Sequence, residues 1–214
     1  MPDAATLISR LIILLIPLPI HELAHAVTAT YFGDDTPRLT GRLTLNPLAH
    51  LDVIGSLLIL WQGFGWAKPV QVNPYALQRR SSSALMLVSL AGPMSNLVMA
   101  ILGAIPFRLG ITSVNAGFHP GTNIIPTLDQ FLVQFVLINL ILFLFNLIPL
   151  APLDGEKILD FFLPPSFARA FQAIRPYGPM ILIALVFVGP YLGLDILGAV
   201  LWPAMRSIFY LLVG

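Results

Sequence analysis

Residues Leu7–Tyr31 read LISRLIILLIPLPIHELAHAVTATY, and the fold turns on how this stretch is understood. At 1.5 Å per residue it is long enough to cross a hydrocarbon core of about 30 Å. Yet it holds His21, Glu22 and His25. A charged or strongly polar side chain near the bilayer centre costs roughly 2.5–3.5 kcal/mol on insertion scales. Three such groups within little more than one turn need a common compensation, and a shared cation supplies it best. His21-Glu22-Leu23-Ala24-His25 is an HExxH pattern, which on a helix sets two imidazoles one turn apart where both reach one zinc ion. Glu22 points in a neighbouring direction and suits a general base. The competing reading makes the three residues interhelical hydrogen-bond partners, or places them beyond the membrane edge. His21 precedes Tyr31 by ten positions, about 15 Å of helix, which favours burial. Pro17 and Pro19, just before the motif, lack backbone donors and predict a kink.

Composition agrees with a membrane chain. Of 214 residues, 57% are hydrophobic and 10% charged, and mean hydropathy is +0.87. Soluble domains carry about a quarter charged residues, so most of this surface must face lipid. The expected fold is an all-α polytopic bundle of about five to six transmembrane helices. We expect a single membrane-embedded domain over residues 1–214, with a catalytic core over about 7–160 and C-terminal helices over about 168–214. A net charge of +1 without a basic run argues against a nucleic-acid partner, and the absence of cysteine excludes disulfides and thiolate ligands. The N-terminus lacks a basic start and a small-residue cleavage site, so the first apolar stretch is expected to be retained.

The other expected spans are Ser83–Phe107, Thr127–Ile148, Tyr177–Leu194 and Ile196–Val213. Leu51–Phe64 is apolar but too short to cross, and suits a re-entrant or interfacial segment. Basic residues set the orientation. Arg38, Arg42, Lys68, Arg79 and Arg80 follow the first span; Lys157, Arg169 and Arg175 follow the third. The opposite side shows Arg10 and Arg108. The N-terminus is therefore expected outside a cell (inner) membrane, with the first and third spans ending on the cytoplasmic side.

A catalytic zinc usually takes three protein ligands and leaves a fourth position open. Asp154 is the candidate third, in Asn146-Leu147-Ile148-Pro149-Leu150-Ala151-Pro152-Leu153-Asp154-Gly155. Two prolines three apart end a regular helix, and Gly155 permits close approach or an unusual backbone angle. A solvated exit loop holding Asp154, Glu156, Lys157 and Asp160 is the alternative. The shared cytoplasmic side of this end and the HExxH end favours the ligand. His50 and His119 have no partner at ligand spacing and are read as non-ligands.

With these motifs in place, the chain resembles the site-2 proteases, intramembrane zinc metalloproteases. The resemblance also rests on Gly41-Arg42-Leu43-Thr44-Leu45-Asn46-Pro47, Phe64-Gly65-Trp66-Ala67-Lys68-Pro69-Val70 and Ala91-Gly92-Pro93-Met94-Ser95-Asn96. It covers about His21 to Asp160 and is similar to the compact branch, without PDZ or CBS domains. It implies one zinc per chain held by His21, His25 and Asp154, with Glu22 as general base and Asn146 beside the metal, holding the scissile peptide or the developing oxyanion.

Leu39–Leu45 alternates apolar and polar residues, a strand periodicity. It is equally a plain cytoplasmic hairpin, but the family resemblance favours a short re-entrant β-hairpin that pairs with an unwound substrate. Leu39, Gly41, Leu43 and Asn46 are then the substrate-binding candidates, with Asn46-Pro47 ending the strand. Small residues at Ala91, Gly92, Ser95, Asn96, Ala100, Gly103 and Ala104 predict close packing of the second span on the first, with Asn96 as interhelical glue. The expected partners are a transmembrane protein or peptide substrate and the lipid bilayer, with self-association left open. The alternative function is a membrane metal-ion transporter or metal-binding protein, since intramembrane His and Asp also mark ion paths. A transporter has less use for Glu22 and would often show more than one polar span.

Overall fold

The structure is a computed structural model that describes residues 4–62, 65–118 and 125–214. His119 and Phe64 lie outside the described residues. Among the described residues the architecture is all-α, and the one β feature is an isolated antiparallel bridge between Leu51 and Ala67. Five helical runs are long and apolar enough to cross a membrane: Thr6–Tyr31, Ala84–Arg108, Leu128–Asn146, Pro165–Tyr191 and Ile196–Val213.

The first run divides into α1 (Ala4–Leu15) and α2 (Pro17–Tyr31). The break falls at Ile16, directly before Pro17 and Pro19, whose missing N–H groups interrupt the ladder as expected. Helix α3 (Val53–Gln62) packs along α1. Arg10 of α1 donates from Nη1 to the carbonyls of Leu60 (3.0 Å) and Trp61 (3.2 Å). These carbonyls at the end of α3 have no intrahelical partner, so the arginine both caps α3 and fixes its tip on α1. The short apolar segment is thus a helix folded back on the first span. Its contact with the following chain is backbone to backbone, because a Cβ on Gly55 would lie 2.1 Å from the Trp66 carbonyl oxygen.

Helix α4 (Ala84–Arg108) is central. Its small-residue face is shared between two neighbours, whereas the sequence predicted one. Gly92 packs against the His21 and His25 rings of α2, while Gly103 packs against Phe135 and Val136 of α5 (Leu128–Asn146). With no hydrophobic force between helices in lipid, such close approach is what holds them. Thr127 and Gln130 close a capping box at the start of α5. After α5 the chain reverses through a cis Ala151–Pro152 bond into α6 (Asp154–Phe162) and α7 (Pro165–Ile174). Gly155 serves close approach: a Cβ there would lie 2.3 Å from the Leu147 carbonyl oxygen.

The last helix, α8 (Ile196–Val213), starts beside the end of α5, where Leu197 and Leu201 share a cleft with Ile141 and Phe145. It ends beside the end of α4, where Arg108 Nε donates to the Leu212 carbonyl at 2.9 Å. Phe209 and Val213 join Ala104, Phe107 and Val133 in one core cluster. Helix α8 therefore runs parallel to α4 and antiparallel to α5. The segment Pro165–Tyr191 begins and returns at one end of the bundle. Phe171, Ile174 and Arg175 face Pro149–Ala151, and Pro190 lies in the same cleft as Ile141 and Phe145. Its helical character starts at Pro165, ahead of the expected Tyr177, and it passes through a π turn over Ala184–Val188.

No β-hairpin is shown over residues 39–45. Leu39 ends a short helix from Thr36, and Gly41 turns the chain at φ +69°. Asn46 caps the 3-10 turn Pro47–Ala49 by accepting from the Leu48 amide. Alternation misleads here because its apolar face is not a core face: Leu39 is 83% and Leu45 68% exposed, while Arg42 between them is buried.

Candidate metal centre

Helix spacing places His21 and His25 on the α2 face that packs on α4, and their rings meet edge to face with centroids 4.7 Å apart. Both are buried, and Asp154, the first residue of α6, closes the group. The three inward atoms form a nearly equilateral triangle. His21 Nε2 and His25 Nε2 lie 3.1 Å apart, and Asp154 Oδ2 lies 3.3 and 3.2 Å from them. Ligands held tetrahedrally at about 2.0–2.1 Å from one zinc stand about 3.3 Å apart. The donor set, two imidazoles and a carboxylate, is one that zinc takes in catalytic sites.

The far side of each ring strengthens the fit. His21 Nδ1 is 2.6 Å from Asn96 Oδ1, and His25 Nδ1 is 2.7 Å from the Val88 carbonyl oxygen. Both partners only accept, so both Nδ1 atoms carry a hydrogen and each ring presents Nε2 to the triangle. A cation at the centre would take both Nε2 atoms and the carboxylate oxygen as ligands.

Glu22 is buried beside the group and outside the triangle. Its Oε2 accepts from the Val70 amide at 3.0 Å. Val70 belongs to a non-helical run held at both ends: the Lys68 amide donates to the His50 carbonyl at 2.7 Å, and the Asn73 amide donates to Asp34 Oδ2 at 2.6 Å. Asn146 ends α5 and its amide donates to the Leu142 carbonyl at 2.9 Å. Leu39, Gly41, Leu43 and Asn46 form no hydrogen bond to the group among the described residues. His50 is buried, with Nε2 against the Thr44 carbonyl oxygen, and stands apart from the triangle.

The sequence reading missed the grip of α4 on the imidazoles. Asn96, read as interhelical glue, bonds to His21, and the Val88 carbonyl bonds to His25. A polar residue at a buried position of an apolar helix was the available signal for Asn96; a backbone carbonyl leaves none. Gly92 completes the grip. A Cβ there would lie 2.3 Å from His25 Nε2 and 2.7 Å from His21 Cε1. Gly92→Ala must therefore displace the rings, and zinc affinity measured by chelator competition is expected to fall at least about tenfold.

Residues 108–188 match peptidase family M50. The chain is 43% identical over 197 residues to "Putative zinc metalloprotease YwhC" of Bacillus subtilis, covering 92% of this chain and 85% of the relative. The chain belongs to peptidase family M50. Two further relatives carry the name "Putative zinc metalloprotease Rip2". One, from Mycolicibacterium smegmatis, is 34% identical over 80% of this chain and 64% of its own length. The other, from Mycobacterium tuberculosis, is 32% identical over 88% of this chain and 70% of its own length. No solved structure matches the chain.

Proposed function

We propose that this M50 protein is an intramembrane zinc metalloprotease, with zinc held by His21, His25 and Asp154 and Glu22 as the general base. The triangle of inward donor atoms, each imidazole locked from behind by an oxygen, carries this reading. Zinc, when bound, supplies a Lewis acid that acidifies water and polarises the scissile carbonyl. Glu22 then receives a proton from the attacking water. Its Oε2 already accepts from Val70, which leaves Oε1 to take the proton and later pass it to the departing amine. Asn146 lies at the unwound end of α5, where its carboxamide is available to the scissile peptide once it exchanges the Leu142 carbonyl for substrate.

The substrate is a transmembrane protein or peptide, and it must unwind before its peptide bonds reach Glu22. The non-helical run over residues 66–73 meets Glu22 at the Val70 amide, so we take it as the edge on which an unwound segment aligns by β-addition. The role proposed from sequence for Leu39, Gly41, Leu43 and Asn46 becomes one of supporting that run. Arg42 supports this view, since its guanidinium donates to the carbonyls of Ala49 and Lys68.

The excess of Lys and Arg after the first and third spans supports a multi-pass protein of the cell (inner) membrane, N-terminus outside and active site toward the cytoplasm. One membrane-embedded domain holds the site, with a catalytic core over about residues 7–160. Because α8 runs parallel to α4, the C-terminus then emerges outside, and Pro165–Tyr191 stays with the cytoplasmic half. Reporter fusions after Gly214 are expected to read as external and insertions at Gly193 as cytoplasmic. An internal reading after Gly214 would refute this topology. The lipid-facing C-terminal helices leave room for self-association.

Purified protein is expected to contain about one zinc per chain and to cleave a synthetic transmembrane peptide, with cleavage lost to a chelator and restored by zinc. Zinc uptake into sealed vesicles without any peptide cleavage would instead favour the transporter.

A further inference from the structure

We propose that Asn139 is a positioning residue for the metal centre: acting through Asn96, it fixes the tautomer and ring orientation of His21. The inference rests on the zinc reading above and extends it to a residue on α5 that touches no ligand. Asn96 and Asn139 are both fully buried. Asn139 Nδ2 donates to the Phe135 carbonyl one turn back on α5, at 2.8 Å. Asn96 Nδ2 donates to Asn139 Oδ1 at 3.1 Å, and Asn96 Oδ1 meets His21 Nδ1 at 2.6 Å.

The direction of this chain is set at its far end. A backbone carbonyl only accepts, so Asn139 must present its NH₂ to Phe135 and its oxygen to Asn96. Asn96 can answer an oxygen only with its own NH₂, which leaves its oxygen toward His21. His21 must then hold its hydrogen on Nδ1 and turn the Nε2 lone pair into the triangle. Were either amide reversed, Asn96 would offer NH₂ to Nδ1. The hydrogen would move to Nε2, and His21 would cease to be a ligand. Three helices thus contribute to one tautomer, α5 through Asn139, α4 through Asn96 and α2 through His21. Outer partners of this kind change metal affinity by about 10- to 100-fold.

The test is zinc affinity of the full-length purified protein by chelator competition, together with the visible spectrum after cobalt substitution and the melting temperature of the metal-free chain. Asn96→Leu is expected to weaken zinc about 10- to 100-fold. Asn139→Leu, of similar size, is expected to weaken it about tenfold, to alter the cobalt bands, and to leave metal-free melting in place. Asn139→Asp still accepts from Asn96 and is expected to bind zinc as the unaltered protein does. Because Asn139 acts only through Asn96, the double variant Asn96→Leu/Asn139→Leu should bind no worse than Asn96→Leu alone. Unchanged affinity and cobalt bands in Asn139→Leu would overturn the inference, as would a double variant whose loss is the product of the two single losses. Asn139→Ser, too short to reach Asn96, replaces the leucine variant with the same readings if that chain does not fold. An unaltered protein that binds no zinc overturns the metal-centre reading itself, and is told apart by that result.

Discussion

With Glu22 replaced by glutamine, the protein is expected to retain its zinc while cleavage of a transmembrane peptide falls by about 10²- to 10⁴-fold. That loss corresponds to about 3–5 kcal/mol of transition-state stabilisation. Glutamine keeps the side-chain length and an oxygen that can still accept from the Val70 amide, so the local packing survives. The missing property is the capacity to take a proton at the free oxygen. Glu22 lies outside the triangle of donor atoms, so the centre keeps its ligands. The check is metal content by mass spectrometry beside single-turnover cleavage on the same sample. Full cleavage in Glu22→Gln would remove the glutamate from the mechanism, and loss of zinc would make it part of the centre.

Asp154→Ala is expected to have the larger effect on the metal. Outer hydrogen-bond partners alone change affinity by 10- to 100-fold, and removing a direct ligand should exceed about 100-fold. The Nε2 atoms of His21 and His25 would remain 3.1 Å apart with no anion to balance a dication. Cleavage should fall with occupancy and recover in part at high zinc concentration. The fold should persist, because α6 is also anchored by Gly155 against the end of α5 and by Glu156, whose Oε1 lies 3.3 Å from Arg175 Nε. Unchanged zinc affinity in Asp154→Ala would return Asp154 to the status of a loop acid.

How far the sequence revealed this centre differs from residue to residue. His21 and His25 were legible because an apolar helix rarely tolerates two imidazoles and a carboxylate within about one turn without a cation. Asp154 was legible only through the side of the membrane on which it emerges. Its arrival within 3.3 Å of both rings depends on the reversal after α5, which the two prolines signal without specifying its geometry. Asn139 carried the same signal as Asn96, a polar residue in an apolar helix, but such a residue has many possible partners and only packing selects Asn96. The hairpin expectation failed for the opposite reason. Alternation over residues 39–45 was present, but apolar periodicity reports a strand only where the apolar face is buried, and here Leu39 and Leu45 are both exposed. The number of long apolar helices was legible from hydropathy. Their order in space was not, because hydropathy does not record that Pro165–Tyr191 returns to the end of the bundle from which it leaves.

X-ray absorption at the zinc edge of the purified protein tests the central claim most directly. A centre of His21, His25 and Asp154 is expected to give two nitrogen ligands at about 2.0–2.1 Å with the remaining positions filled by oxygen, and the nitrogen signal should halve in His25→Ala. A spectrum of oxygen ligands alone, or one unaltered by His25→Ala, would contradict it.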